Sequence, residues 1–492
     1  MKLKIVLGLL GTLQFILNSC SPMEEKEQKK PNILFLFTDD QRYGTIEALG
    51  HSELETPNMN RLVKNGVAFE NAYILGSPNG AVCSPSRAML MTGRHYFNIP
   101  RNAYTLWEFS GEERGNVDLL TFPEYFRQNG YTTFATGKQH NGKQWIERGF
   151  DKGDALFLGG MGTHFGLRVR DYDTTQGWGE RYRRKDVFTS KLFANAAIDF
   201  LKDYRQEKPF LMYVSFTSPH DPRKAPEKYH QMYSGQEVSL PPNFMPRHPF
   251  EIADMKIRDE KLAGFPRTKE EIKEHIADYY AMITATDHHI GRILDTLRAT
   301  GKMENTIIVF AGDNGLAVGQ HGLMGKQNVY EHSVKIPFIF CGQGIPEGER
   351  REALVYLHDL FPTLCDLTGL EIPGSVHTKS IAEVIQGEKN SVRESIYFAY
   401  NHYKNSGKES QRGAHRAIRR GDLKLIISKK DGKTTVQLFN LEQDPYELNN
   451  LANKDDYKDE VEALKRELKN KIRESGDPAK MNETEFGLYP EE

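Results

Sequence analysis

The sequence predicts an α/β fold, a mostly parallel central sheet flanked by helices, with a smaller C-terminal α+β domain containing an antiparallel sheet. Three observations carry that expectation. Apolar runs of strand length recur from Ile33 to about Phe340, separated by stretches of helical periodicity. Four of those runs end in residues that carry chemistry. From about Gly369 the pattern changes to short runs separated by Gly and Asp turns.

In chain order, Asn32 to Thr38 is a strand ending in Asp39-Asp40, and Pro57 to Gly66 a short crossover helix. Leu119 to Gly130 is a second such helix, leading into strand Tyr131 to Thr136 and then Gly137-Lys138-Gln139-His140. Phe210 to Thr217 runs into Ser218-Pro219-His220, and Thr306 to Ala311 into Gly312-Asp313-Asn314. Between them Thr268 to Thr300 is one long helix or a broken pair, with apolar residues from Ile272 to Leu297 at helical spacing. Ligands of open α/β sheets bind outside the carboxyl ends of the strands, so these four ends should deliver carboxylates, a lysine and two histidines to one rim. Ser395 to Tyr400, Ala414 to Ile418, Leu423 to Ser428 and Thr435 to Phe439 read as an antiparallel set, and Lys454 to Glu474 as an amphipathic helix with a solvated Lys/Glu face. The expected division is a catalytic domain over 31–375 and a C-terminal subdomain over 376–492.

The 492 residues hold 65 Lys+Arg against 67 Asp+Glu, and this balance argues against a nucleic-acid binder. A hydrophobic content of 38% excludes a polytopic membrane protein. Four cysteines cannot staple a chain of this length. Lys2 and Lys4 precede an apolar stretch from Ile5 to Leu17 and then Asn18-Ser19-Cys20, which reads as a secretory leader over 1–19. A Cys directly after a small residue looks like a lipoprotein signal, with Cys20 lipidated and 20–30 a charged tether; an ordinary signal peptide with a coincidental Cys is the alternative. Either way an exported protein is expected, and the lipoprotein reading puts a lipid anchor in a bacterial envelope, periplasmic or at the outer membrane. Of the other cysteines, Cys341 and Cys365 lie in apolar surroundings as buried thiols or a bridged pair.

Asp39, Asp40 and Asp313 should converge, and two carboxylates ~4 Å apart repel by roughly 4 kcal/mol at an effective dielectric of 20. A proton or a cation must offset that. With Asn314 the donor set is all oxygen and suits a hard divalent ion, Ca²⁺ in preference to Mg²⁺. The bland alternative is a set of caps and turns. Cys83 precedes Ser84, read as an N-cap, and Pro85, read as the first helical residue, which puts the thiol at a positive helix end where a thiolate could be activated. Arg87, one turn in, could face the same anion. Soft thiolate and hard calcium do not suit each other.

Cys83-Ser84-Pro85-Ser86-Arg87 followed by Ala88-Met89-Leu90-Met91-Thr92-Gly93-Arg94 resembles the signature of the type I, formylglycine-dependent sulfatases of the alkaline phosphatase superfamily. The resemblance continues through Asp39-Asp40, Thr136-Gly137-Lys138 with His140, Ser218-Pro219-His220, Gly312-Asp313-Asn314-Gly315, His321-Gly322-Leu323-Met324-Gly325-Lys326, and Phe439-Asn440-Leu441 with Asp444-Pro445, spanning roughly Pro31 to Leu451. It implies that a maturation enzyme oxidises Cys83 to formylglycine during export, and that the hydrated aldehyde, an oxygen ligand, joins Asp39, Asp40, Asp313 and Asn314 around one Ca²⁺. It further implies that a hydroxyl of residue 83 attacks sulfur while His220 or Lys326 protonates the departing oxygen. His140 then takes a proton from the second hydroxyl as sulfate leaves, and Arg87, Lys138 and Lys326 stabilise the sulfuryl oxygens.

The expected substrate is a sulfated carbohydrate, such as a terminal sugar of mucin O-glycans or glycosaminoglycans. His321, Arg223, His164 and Arg170 are the candidate substrate contacts, with Arg168 in the same Gly-rich insert as His164 and Arg170. The rival readings are a phosphodiesterase or phosphonate monoester hydrolase of the same superfamily and an inactive glycan-binding lipoprotein.

Overall fold

The computed structural model describes residues 29–402 apart from 52, 107, 111, 112, 253 and 254, together with 413–480, 482, 486 and 487. The expected leader, Cys20 and most of the tether lie outside the described residues.

Strand β1 (Asn32–Asp39) is buried along its whole length. Ile33, Phe35 and Phe37 enter one core and Leu34 and Leu36 the other, as the two-residue period of a strand requires. Covered on both faces, the strand reads as an unbroken apolar run. Truncating a buried ring such as Phe35 to alanine would cost about 3–5 kcal/mol.

Helix α1 (Pro57–Lys64) opens on proline and passes directly into β2 (Gly66–Tyr73), the two-residue β3 (Gly76–Ser77) and α2 (Cys83–Thr92). Next come α3 (Phe122–Gln128), β4 (Thr132–Lys138), α4 (Lys143–Gly149) and β5 (Lys152–Phe157). Part of the expected Gly-rich insert is a strand, β6 (Arg168–Asp173), followed by the short β7 (Gly177–Trp178) and β8 (Tyr182–Arg183). Helix α5 (Thr189–Asp203), β9 (Phe210–Pro219) and the short α6 (Glu227–His230) lead to α7 (Lys269–Ala299).

Helix α7 is a single helix of 31 residues, about 46 Å long, which settles the choice left open by the sequence. The Thr268 hydroxyl accepts the Glu271 N–H at 3.2 Å, and Glu270 and Glu271 occupy the positive end. Then follow β10 (Thr306–Gly312), α8 (Glu331–Val334), β11 (Phe338–Gly342), β12 (Glu349–Tyr356), α9 (Leu360–Leu367) and α10 (Ala382–Ile385). Last are β13 (Ser395–His402), β14 (Gly413–Arg420), β15 (Leu423–Lys430), β16 (Lys433–Asn440) and α11 (Lys458–Ser475).

The larger sheet has the order β12-β2-β11-β10-β1-β9-β4-β5-β6-β7, with β8 paired to β6. Its centre, β10-β1-β9-β4-β5, is parallel. Antiparallel pairings begin at β11 and β6. The four strands whose ends carry chemistry are therefore adjacent and point the same way. The smaller sheet, β16-β15-β14-β13-β3, is antiparallel except where β3 joins β13. That pairing ties the C-terminal sheet to the segment leading into Cys83. Helix α11 packs on β14 and β13 through Val461, Leu464, Leu468 and Ile472. Cys341 and Cys365 are buried free thiols. No helix among the described residues is long and apolar enough to cross a membrane.

Candidate active site

The chain leaves β1 through Asp40, which has φ 65°. The Asp40 N–H donates to Asp313 Oδ1 at 2.9 Å, and the Asp313 N–H to the Thr38 carbonyl at 3.0 Å, so the ends of β1 and β10 are stitched together at the carboxylates. Asn314 Nδ2 donates to Asp40 Oδ1 at 2.8 Å, while Asn314 Oδ1 is buried with no hydrogen-bond partner among the described residues.

Helix α2 begins at Cys83, after Val82 in helical backbone and without a side-chain cap. Ser84 is therefore not the N-cap and Pro85 not the first helical residue; the Ser84 hydroxyl donates instead to the His140 carbonyl at 3.3 Å. Cys83 keeps its place at the positive end of the helix. Its S–H donates to Asp39 Oδ1 at 3.2 Å, and Lys326 Nζ lies 2.9 Å from the sulfur. Arg87 is sealed from solvent behind the carboxylates. Its Nε and Nη2 meet Asp313 Oδ2 at 3.0 and 2.9 Å, and Nη1 donates to Ser215 Oγ at 2.6 Å and to the Lys138 carbonyl at 3.1 Å. Arg87 thus holds Asp313, while its Nη2, 4.0 Å from Asp39 Oδ1, has no hydrogen-bond partner among the described residues.

Strand β4 brings in the third edge. Gly137 has φ 87°, and a Cβ there would overlap the Ser215 carbonyl oxygen, so only glycine lets β4 run this close to β9. Lys138 Nζ then reaches Asp39 Oδ2 at 2.5 Å. His140 packs directly against Gly160, where any Cβ would overlap its ring, and its Nδ1 has no partner among the described residues. From the end of β9, His220 Nε2 lies 3.7 Å from Asp40 Oδ2 while Nδ1 meets the Asp221 carbonyl at 2.7 Å.

The charges explain one another. Burial works against ionising Asp39, yet Lys138, His220, Arg87 and Lys326 hold its carboxyl well below the usual range. Asp313 goes the other way: burial first, then the charge on Asp39, pushes it up to about 6. Burial and the neighbouring Asp313 and Asp39 drive the Cys83 thiol well above its ordinary value. Burial first and the two carboxylates second thus work against the thiolate, with Lys138 and Lys326 opposing them. Burial, with Lys138 and Arg87, holds His140 well below the ordinary histidine value.

Asp39, Asp40, Cys83 and His220 bring ligand atoms within 4.8 Å of one another. With the sulfur the set is mixed; with an oxygen at residue 83, and with Asp313 and the orphaned Asn314 Oδ1, it becomes oxygen-rich and fits a hard divalent ion. Asp39, Asp40, Asp313, Asn314 and residue 83 are the residues that would hold it.

The candidate substrate contacts separate. His164 is buried, Nδ1 against the Thr189 hydroxyl at 3.0 Å and Nε2 against the His220 carbonyl at 2.8 Å, so it braces the loop carrying His220. His321 is buried against Tyr330, its Nε2 at the Glu447 carbonyl. Arg170 stacks on Trp178 at 4.6 Å, in β6 near the sheet edge. Arg223 is buried with two spare donors, Nε and Nη2, and among the described residues Arg170 Nε and His321 Nδ1 likewise have no partner. Sequence reasoning missed Ser215, Gly160 and Tyr279, whose hydroxyl donates to the Asp40 carbonyl at 2.6 Å. Tyr279 occupies an apolar position of α7 and reads as core; a phenol among buried aliphatics was the available signal.

A family model described as Sulfatase matches residues 31–370, and one described as N-sulphoglucosamine sulphohydrolase, C-terminal, matches residues 319–474. The N-acetylglucosamine-6-O-sulfatase of Bacteroides thetaiotaomicron is 27% identical over 510 residues, covering 91% of this chain and 87% of its own. The ulvan-active sulfatase of Formosa agariphila is 28% identical over 508 residues, covering 99% and 91%. A solved structure in complex with its substrate D-glucosamine-2-N,6-O-disulfate superposes with a TM-score of 0.75 at 24% identity, across 93% of this chain and 99% of that one. The phosphonate monoester hydrolase of Agrobacterium radiobacter gives 0.71 at 20% identity, across 94% and 100%. At these identities the two structures establish a shared fold.

Proposed function

The chain belongs to the sulfatase family and is a sulfuric ester hydrolase; we propose that it removes sulfate from a carbohydrate through a formylglycine formed from Cys83 and one Ca²⁺. The observation that carries this reading is the meeting of Asp39, Asp40, Asp313 and Asn314 with residue 83, between the ammonium groups of Lys138 and Lys326. When bound, the ion would supply positive charge to a sulfate oxygen, and the hydrated aldehyde an oxygen nucleophile.

The other steps fall to groups already in place. Lys138, Lys326 and Arg87 stand where charge gathers on the sulfuryl oxygens, and Arg87 also fixes Asp313. His220, its ring set by the Asp221 carbonyl, or Lys326 beside it, gives a proton to the departing sugar oxygen. His140, neutral and with no partner for Nδ1 among the described residues, takes a proton from the hydroxyl of residue 83. Arg223, His321 and Arg170 offer substrate the nitrogens that the fold leaves unpartnered among the described residues, while His164, engaged at both ring nitrogens, supports the loop carrying His220.

A sulfated sugar of mucin O-glycans or glycosaminoglycans, taken from a chain end, is the proposed substrate. The names of two relatives, an N-acetylglucosamine-6-O-sulfatase and an ulvan-active sulfatase, support a sulfated carbohydrate. The leader and Cys20 support export and a lipid anchor in the envelope, with a formylglycine-generating enzyme as the maturation partner.

The test combines mass analysis of residue 83 with a panel of singly sulfated mono- and disaccharides. Formylglycine at 83 and release of sulfate from at least one sugar are expected. Unimpaired turnover by Cys83→Ser, made in a host that oxidises only Cys, would overturn the mechanism. Preference for an aryl phosphate diester over an aryl sulfate would favour the phosphonate hydrolase rival. Residue 83 unmodified in protein from the native envelope would favour the inactive glycan-binding rival.

A further inference from the structure

We propose that this chain carries a second binding site, for an uncharged saccharide, in a cavity separate from the Cys83 pocket. The cavity, about 830 Å³ and open to solvent on one side, is bounded by the turn after β1, β2, α7, α8, residues 239–243 and residues 441–447. Its volume lies within the roughly 300–1,000 Å³ usual for small-ligand sites. None of Asp39, Asp40, Cys83, His140, His220, Asp313 or Lys326 lines it.

Its walls hold buried polar atoms that lack a hydrogen-bond partner among the described residues: Arg42 Nη1, Asn243 Oδ1 and both ring nitrogens of His332. These side chains are 9%, 4% and 9% exposed. Burial, then His321 and Arg42, holds His332 well below the ordinary histidine value, so its ring offers one donor and one acceptor. The cavity therefore presents a guanidinium donor, an amide acceptor and an imidazole that does both. Hydroxyl groups, each donor and acceptor at once, are the complement of such a wall. Tyr446 is 46% exposed at the mouth and presents a flat apolar face of the kind a pyranose packs on, while Tyr43, with Lys335 over its ring at 4.3 Å, and the buried Tyr280 complete the wall.

Charge excludes the other ligand classes. Carboxylates outnumber the lysines and arginines in the lining, so a sulfated sugar or a phosphate would be repelled. A metal ion is disfavoured because, among the described residues, the metal-ligating side chains that converge are those at Cys83, and Glu331 and Glu447 already pair with Lys424 at 2.8 and 2.9 Å. A neutral, hydroxyl-rich ligand is what remains. This site does not depend on the chemistry at residue 83.

Calorimetric titration of the full chain with N-acetyllactosamine and with cellotetraose tests it. Saturable binding with Kd near or below about 1 mM is expected, unchanged in Cys83→Ala and in excess inorganic sulfate. Asn243→Ala and the exposed Tyr446→Ala should each weaken it about tenfold, with turnover of a small aryl sulfate preserved. The site is refuted by no saturable binding of either sugar up to about 10 mM. It is equally refuted by binding that Cys83→Ala or sulfate abolishes, or by binding that both cavity variants leave intact.

Discussion

Lys326 Nζ lies 2.9 Å from the Cys83 sulfur and also donates to Asp40, so one ammonium touches both the position of the nucleophile and a carboxylate of the cation set. Burial works against that charge, but Asp40, then Cys83 and Asp39, hold it well above the ordinary lysine value. Lys326→Ala should lower kcat for sulfate-ester cleavage by about 10²–10³-fold, the loss seen when one preorganised donor is removed. Breaking a buried pair costs about 3–5 kcal/mol when nothing replaces it. Here added Ca²⁺ should recover melting temperature and leave kcat low. A kcat within about threefold of wild type would remove Lys326 from the chemistry.

Gly160 is the floor on which His140 rests, and the Cβ of Gly160→Ala would overlap the imidazole. Proton transfer by a positioned base is worth about 10²–10⁴-fold, so displacing the ring should cost at least tenfold in kcat with KM little changed. Because burial and the nearby cations lower the His140 value, the neutral, proton-accepting form persists in acid. The acid limb of kcat should therefore fall well below the ordinary histidine value of 6.5. A limb centred at that value in wild type, and unmoved in Asp313→Asn, would exclude His140 as the base, since the Asp313 carboxyl itself lies at about 6.

The parallel centre and its chemistry were legible because chain-local signals mark them. Asp39-Asp40 and Asp313-Asn314 each end an apolar run, and such ends meet at one rim in a parallel sheet. Strand β2 was not legible: it follows α1 after a single residue and is joined antiparallel to β11, a partner distant in sequence. The start of β12, Glu349 to Glu352, is polar because it lies at the sheet edge, so it shows no apolar run. The contacts that Arg87 makes with Asp313 and Ser215 were beyond the sequence as well. They depend on Ser215 and Asp313 arriving from two other strands. His164 reads as a loop cation, and the His220 carbonyl that it supports appears only once the chain is folded.

Chelation separates fold from activity at the carboxylates. Lys138 and Lys326 already partner Asp39 and Asp40, so the chain should stay folded in EGTA while turnover is lost. An ion at a hundredfold excess over its Kd adds about 2.7 kcal/mol, which sets the scale of the expected fall in stability. Ca²⁺ should restore activity more fully than Mg²⁺, because a cage built from protein oxygens suits the ion that gives up its waters more readily. Full turnover after exhaustive chelation would refute the cation assignment.

Glu260 braces the loop that carries Lys326, accepting the Met324 and Gly325 N–H groups at 3.1 and 3.0 Å while pairing with the buried Arg267. Burial dominates both partners: it pushes the Glu260 carboxyl up to about 7, with Arg267 and the two N–H groups opposing, and it lowers Arg267. The folded chain thus binds this proton more tightly than the unfolded chain, where the value is near 4.5. The stabilisation is complete below pH 4.5 and is lost as pH rises through about 7. The gap between the two values corresponds to about 3 kcal/mol. Glu260→Gln keeps an acceptor for the loop and removes the titration, so wild type should lose about that much stability relative to the variant between these pH values. Urea unfolding of both proteins across that range measures the difference directly. Parallel pH profiles would mean that Glu260 stays ionised beside Arg267, and that the loop under Lys326 is held by a permanent ion pair.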